Sequence, residues 1–411
     1  MVFKIIQTFA SKVLIALFSF LLLILTARYG GSAVRGEISL FLTNQTIIML
    51  LASIIGGPSI VYLTTKVNTG YLFTLSYIWA LTMALIVSLI LLWMGLVSYH
   101  DYYFLLVIAI LSCLLSINTH FLLGFQKISL FNFINISQVA IVFLLVFYYF
   151  VLQAKTGLHE YLISLTASYS ILFLLSFFYV NVLKKENAIQ ENKNWWYYLK
   201  TGFSAQFSNL IQFLNYRLSY YFIALFLSEE KLGLFSTCVI LSESIWLISS
   251  SLSTVGYTKI SAEKNNTVAK EISFQLLRLN ILITFFPVFV LALIPNKLYT
   301  DVLGNDFQNI RSIVLIMLIG IFAISIQRII SAYFSGIGKF HINNTASLIG
   351  LVFNSTFLYL FLKNYQLKGV ALASTLAYLL IFGYSFYKFR KITGIQWKDM
   401  KPRKSDFEIE V

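Results

Sequence analysis

The sequence predicts an all-α integral membrane protein of about twelve transmembrane helices, arranged as two related six-helix lobes. Three observations carry that expectation. Of 411 residues, 59% are hydrophobic and only 11% charged, far from the roughly 25% charged composition of soluble domains. The apolar residues fall in long blocks, and about 20 residues at 1.5 Å rise cross a hydrocarbon layer of ~30 Å. Finally, segments of the second half repeat segments of the first at a fixed spacing.

The blocks place spans at 9–27, 38–57, 71–97, 103–125, 130–152 and 162–183 in the first half. The second half supplies 203–227, 232–255, 272–294, 313–333, 342–362 and 370–389, with Pro287 expected to kink the ninth span. Residues 184–200, "KKENAIQENKNWWYYLK", read as a cytoplasmic interfacial linker between an N-terminal lobe (1–183) and a C-terminal lobe (201–391). Residues 392–411 form a tail. An even number of spans puts both termini on one side. If that side is cytoplasmic it holds about nineteen Lys and Arg against eight opposite, the asymmetry that the positive-inside rule requires. The apolar start of the chain reads as a retained first helix, since "TARYGG" follows it in place of a small-residue cleavage site.

The repeat is visible in short stretches. Gly124-Phe-Gln-Lys127 precedes the fifth span and Gly336-Ile-Gly-Lys339 the eleventh, 212 residues later. The same offset pairs Asn132 with Asn344 and Gly157 with Gly369, and another pairs Gly36 with Gly233. Parallel repeats of this kind are a common transporter design.

Several function classes drop out. The formal charge of +14 belongs to loops beside the membrane, with no basic face interleaved with aromatics, so no nucleic-acid partner is expected. Cys113 and Cys238 lie inside spans as packing residues, and His100, His120, His159 and His341 are scattered, so no metal site is expected. A Walker-type phosphate loop is absent, no nucleophile–base pair stands out, and neither a cofactor nor an enzymatic activity is expected.

Polar side chains within the spans carry what chemistry there is. The seventh span holds Gln206, Asn209, Tyr216, Arg217 and Tyr220 at helical spacing. A charge at mid-bilayer costs roughly 2.5–3.5 kcal/mol on insertion scales, so Arg217 needs a partner. Glu243 is the one acid deep in a span. The two residues sit about twelve and thirteen positions from the turn at 228–231, hence at matched depth on an antiparallel hairpin. Two readings stand: a fixed pair that sets helix register, or a working pair that opens during transport, with Glu243 as an ion-coupling acid. The tenth span adds Ser325, Arg328 and Ser335. In the ninth, Arg278 either snorkels to the interface or serves the site. Arg217, Arg328 and Arg278, all in the second half, would attract an anion, and arginine matches phosphate oxygens bidentately. The amides Gln206, Asn209, Asn44, Gln45, Asn132 and Asn135 are candidate sugar contacts, each with the commoner alternative of an interhelical hydrogen bond.

"ARYGGSAVRGEISLF" at the end of the first span resembles the aromatic- and glycine-bearing loop of bacterial polysaccharide-unit flippases. "NYRLSYYFIALFLSEEKLGLFSTCVILSESI" is similar to their seventh-to-eighth hairpin, and "SAYFSGIGKF" and "LKGVALASTLAYLL" to their tenth-to-twelfth region. The family is the O-antigen flippase (Wzx-type) branch of the multidrug/oligosaccharidyl-lipid/polysaccharide (MOP) exporter superfamily. The resemblance implies two six-helix lobes in a MATE-like V, alternating access and a cationic central cavity. The implied substrate is an undecaprenyl-pyrophosphate-linked oligosaccharide, turned across the bacterial cytoplasmic membrane for O-antigen or other surface polysaccharide. Membrane lipids and polysaccharide polymerase machinery are the implied partners. In that family an aspartate often follows the seventh-span arginine closely, whereas "RLSYY" here has no acid. Alternatives are a cation-coupled drug exporter of the same superfamily, disfavoured by the lack of deep carboxylates in the first six spans, and a polytopic glycosyltransferase or polymerase, disfavoured by the short loops.

Overall fold

A run of apolar residues in a membrane must satisfy every backbone donor internally, which leaves helices as the local solution for this sequence. The computed structural model describes residues 2–64, 66–184, 194–263 and 265–396, and these contain thirteen α-helices. The middle of the 184–200 linker and the tail beyond 396 lie outside the described residues. The helices are α1 (Val2–Gly56), α2 (Ser59–Leu63), α3 (Thr69–Trp93), α4 (Tyr99–Gly124), α5 (Ile128–Phe147), α6 (Leu158–Lys184) and α7 (Trp195–Phe226). Then follow α8 (Glu229–Glu243), α9 (Trp246–Ala262), α10 (Asn266–Leu293), α11 (Asn296–Leu303), α12 (Ile310–Gly336) and α13 (Phe340–Thr393). The protein is an all-α, multi-pass membrane protein.

Among the described residues, eight stretches are long and apolar enough to cross a bilayer, and the bent pair α8–α9 makes a ninth. Two of the eight, Ala10–Leu63 and Phe340–Thr393, run to 54 residues each, twice the length a span needs. Each contains a backbone break: at Gly31 (φ 76°) in α1 and at Gln366 (φ 49°) in α13. Each is therefore a pair of spans joined by a sharp corner. α7 falls below the same apolar standard because Gln206, Asn209, Gln212, Asn215 and Arg217 interrupt it.

Contacts divide the chain into two compact units, Met1–Leu210 and Ile211–Val411, and the boundary falls inside α7. In the first unit α1 packs on α3, α4 and α5, and α4 packs on α6, around a core that includes Ile38, Ile48, Ile55, Leu105, Ile108 and Leu122. The opening of α7 crosses the end of α1 so closely that a Cβ on Gly202 would run into the Ile54 carbonyl. In the second unit α12 is the central helix, packed on α8, α9, α10 and α13. Capping follows the sequence: Asn68, Ser98, Ser228 and Asn265 each accept a backbone N–H at the start of α3, α4, α8 and α10. Arg311 donates to the carbonyls of Ile294 and Ala292, a cation at the carboxyl end of α10.

The repeat holds at the level of individual backbone hydrogen bonds. After α4, Phe125, Gln126 and Lys127 donate to Phe121, Leu123 and Leu122; after α12, Ile337, Gly338 and Lys339 donate to Tyr333, Ser335 and Phe334. All three partner pairs are displaced by 212 residues. Both corners turn on a left-handed residue, Gln126 (φ 58°) in one and Gly338 (φ 74°) in the other.

Two expectations change. The 28–37 connection is not a loop: α1 resumes directly after Gly31 and carries Arg35 into the protein interior, 5% exposed. The eighth span is not one helix but two, bent by 44° between Glu243 and Trp246. α10 continues as a helix on both sides of Pro287.

The left-handed corners yield a test. No atom lies near enough to Gly338 to hinder a Cβ, so Gly338→Ala isolates the backbone cost of about 1–2 kcal/mol for an L-residue there. The variant is expected to lower the thermal unfolding midpoint in detergent. Gln126→Gly, at the matching corner, is expected to raise it.

Candidate functional site

The second half of α7 places Asn215, Tyr216, Arg217 and Tyr220 within two turns, and hydrophobic neighbours leave these side chains to find partners inside the unit. Arg217 meets Glu243 in a bidentate pair: Nη1 donates to Oε1 at 3.0 Å and Nη2 to Oε2 at 2.9 Å. The side chains are 23% and 14% exposed, so the pair is enclosed yet reachable. Matched depth on the α7–α8 hairpin is what brings them together. The guanidinium also lies over the Tyr220 ring, 5.1 Å from its centre.

Glu243 is the last residue of α8. Beyond it the helix breaks, and no proline or glycine causes the break. Ser244 Oγ donates back to the Leu241 carbonyl at 2.7 Å, and the backbone is stitched by three-residue bonds of 3.3–3.4 Å from Ile245, Leu247 and Ile248. Hydroxyls that compete for helix carbonyls in this way bend helices. The break sets Trp246, first residue of α9, into an aromatic group with Tyr216 (4.7 Å between ring centres) and Tyr378 (6.3 Å); the two tyrosines are 5.8 Å apart.

Arg328, on α12, stacks on Trp246 with its guanidinium carbon 4.7 Å from the ring centre. Among the described residues no carboxylate pairs with Arg328, and its Nε has no hydrogen-bond partner. With two guanidinium groups and one carboxylate, the cluster carries a net charge of about +1. Other buried polar atoms around the break also lack partners: Trp246 Nε1, Ser242 Oγ and Ser249 Oγ. Tyr216 further lines a water-sized polar pocket with Gln212, Asn215, Gln327, Asn343 and Ser347, where the Asn215 and Asn343 side-chain oxygens have no donor.

Arg278 is 6% exposed, enclosed by protein rather than extended to an interface. Asn280, two residues on, donates to the Ser325 carbonyl of α12. The remaining predicted residues lie in the first unit. Asn44 donates to the Leu96 carbonyl at 3.0 Å and Gln45 to the Tyr169 hydroxyl at 3.1 Å, both between helices. Asn135 bonds within its own helix, to the Phe131 carbonyl, and Asn132 is 3% exposed. Gln206 and Asn209 bond one another at 2.8 Å, with Asn209 exposed.

The sequence reading missed Trp246, Tyr378 and Arg35. Trp246 and Tyr378 follow no period shared with α7, and only the bend and the packing unite them. Arg35 sits within electrostatic reach of buried Tyr161, so buried cations are not confined to the second half. Its signal was the helix-compatible run after Gly31, without proline.

On α9 the exposed hydroxyls are turned inward. Ser250 and Ser251 donate to the Leu247 carbonyl, Thr254 to Ser250, and Thr258 to Thr254.

Neither a family model nor a curated protein matches the sequence. Solved structures do match the fold. The chain is similar to the lipid II flippase MurJ in an inward closed conformation, with a TM-score of 0.73 at 16% identity over 97% of this chain and 89% of that one. It is similar to an inward-facing multidrug resistance MATE family transporter of the MOP superfamily, with a TM-score of 0.71 at 11% identity over 97% and 96%. The Vibrio cholerae MATE transporter VcmN in its bent form gives 0.55 at 15% identity over 94% and 96%. The chain thus has the fold that MurJ shares with MATE transporters.

The pair can be weighed by a double-mutant cycle. Removing one partner strands an enclosed charge, so Glu243→Leu or Arg217→Met alone should cost on the order of 3 kcal/mol. The double variant should regain most of the loss, read as thermal unfolding midpoints in detergent.

Proposed function

We propose that this protein turns a polyprenyl-pyrophosphate-linked oligosaccharide across the bacterial cytoplasmic membrane by alternating access, supplying repeat units for O-antigen or another surface polysaccharide. Both termini are then cytoplasmic. The observation that carries the reading is Arg328: a guanidinium inside a membrane domain, stacked on Trp246 and without a carboxylate partner among the described residues. A membrane charge left uncompensated by the protein marks a ligand of opposite sign. Arginine suits phosphoryl oxygens because its planar fork donates two hydrogen bonds at once. Arg217 stands beside it, held by Glu243, and Arg278 adds a third enclosed cation in the same unit. The fold supports the reading, since the MurJ structure is that of a lipid II flippase. Asn209, exposed beside Gln206, is the amide best placed among the predicted residues for a sugar hydroxyl.

The MATE likeness raises the second reading, export of organic cations. An aromatic group with a carboxylate beside it is what such a cation needs. Here Arg328 already occupies the face of Trp246, and both oxygens of Glu243 are taken by Arg217. That arrangement favours an anion.

Proteoliposomes test the proposal. The full chain should move a fluorescent polyprenyl-pyrophosphate saccharide to the opposite leaflet, while Arg328→Ala should slow this by a factor of about ten or more, with Arg328→Lys between the two. Transport of a cationic dye with no movement of the lipid-linked saccharide would overturn it in favour of the second reading.

A further inference from the structure

The geometry points to Trp246 as a second hydrogen-bond donor to the anion that Arg328 attracts. This inference rests on the reading above and deepens it by naming a contact that the residue pattern alone does not supply.

Trp246 is 8% exposed, yet its indole Nε1–H has no acceptor. An indole N–H donates and cannot accept, and tryptophans buried in protein ordinarily find a partner for it. Acceptors close by in the chain or in the cation–π contact are engaged elsewhere. Glu243, three residues back, gives both oxygens to Arg217. The Leu241 carbonyl accepts from Ser244, and the Arg328 carbonyl accepts from Ser253 Oγ at 3.2 Å.

The unmet donor lies in the same stack as another. Arg328 Nε also lacks an acceptor, and the guanidinium carbon stands 4.7 Å from the centre of the indole ring. Two unmet N–H groups, one charged, therefore belong to one cation–π contact. Oxyanions accept such bonds at about 2.7–3.2 Å from each nitrogen, and one phosphoryl group has three oxygens with which to meet two donors. Tyr216 and Tyr378 flank the indole and hold its plane. An enclosed setting makes each satisfied donor count for more, and each unsatisfied one costly.

The indole explains the choice of residue. Any aromatic ring at position 246 would stack with Arg328, and phenylalanine would do so without stranding a donor. Tryptophan combines the broadest ring face with an N–H in the ring plane that can only donate.

Indole proton resonances of the full chain, labelled with nitrogen-15 tryptophan in detergent micelles, test this directly. The chain has six tryptophans, and the signal missing from Trp246→Phe identifies residue 246. Addition of inorganic pyrophosphate is expected to move that signal downfield. By calorimetry, Trp246→Phe should weaken pyrophosphate binding about tenfold and Arg328→Ala should abolish it. If pyrophosphate binds in an Arg328-dependent way while the Trp246 signal stays still, water serves the indole and this inference fails while the anion reading stands. If wild-type protein does not bind pyrophosphate, both fail. The shift itself is read on wild-type protein, and if Trp246→Phe does not fold, Trp246→Tyr supplies the assignment.

Discussion

A guanidinium group enclosed in a membrane domain has to be compensated, and the second unit meets that constraint twice by different means. Arg217 is met by a carboxylate through two short hydrogen bonds. Arg328 is met by the face of an indole and by the Tyr216 side chain, with no carboxylate against it among the described residues. Around these two solutions the local architecture is arranged: the α7–α8 hairpin brings Glu243 to the depth of Arg217, and the break after Glu243 turns Trp246 toward α12. Without the break, the residue that ends α8 and the residue that opens α9 would continue one helical track, each step about 100° on a 3.6-residue turn.

Much of this was legible in the residues. Apolar block lengths located the spans because a bilayer has a fixed thickness. Counting residues from the turn at Ser228 placed Arg217 and Glu243 at equal depth, since rise per residue is constant in both arms. The offset of 212 was legible as Gly124 and Lys127 against Gly336 and Lys339, and it reappears in three matched backbone hydrogen bonds. What escaped the reading has a common cause. At the bend between α8 and α9 the Ser244 hydroxyl bonds the Leu241 carbonyl, and as a letter Ser244 differs in no way from the serines of "LISSSLST". The Trp246–Tyr216–Tyr378 group joins three helices, and no single period along the chain reports it. Arg35 looked like a loop charge because two glycines precede it, yet only Gly31 takes the left-handed conformation and the helix resumes at once.

The two halves keep a common frame and differ in what they enclose. Their Gly124 and Gly336 corners close with the same hydrogen-bond pattern, each glycine docked where a Cβ would strike the preceding hairpin, at Thr64 in one and Ile260 in the other. The enclosed polar groups diverge. In the first unit amides and hydroxyls bond to one another across helices, as Asn118 does with Tyr77 and Ser176. In the second, several donors and acceptors remain open. A frame that is over-determined by close glycine contacts can carry unsatisfied groups elsewhere without losing its shape.

The hydroxyls along α9 have one more effect. Because Ser250, Ser251, Thr254 and Thr258 spend their protons on carbonyls of their own helix, that surface holds no unmet hydrogen to be punished by oil. Its oxygens still offer lone pairs to a wet neighbour. These four hydroxyls thus lower the penalty that hydrocarbon would impose on a polar stripe while leaving it able to accept hydrogen bonds from water, which is the tolerance such a stripe requires if its surroundings alternate.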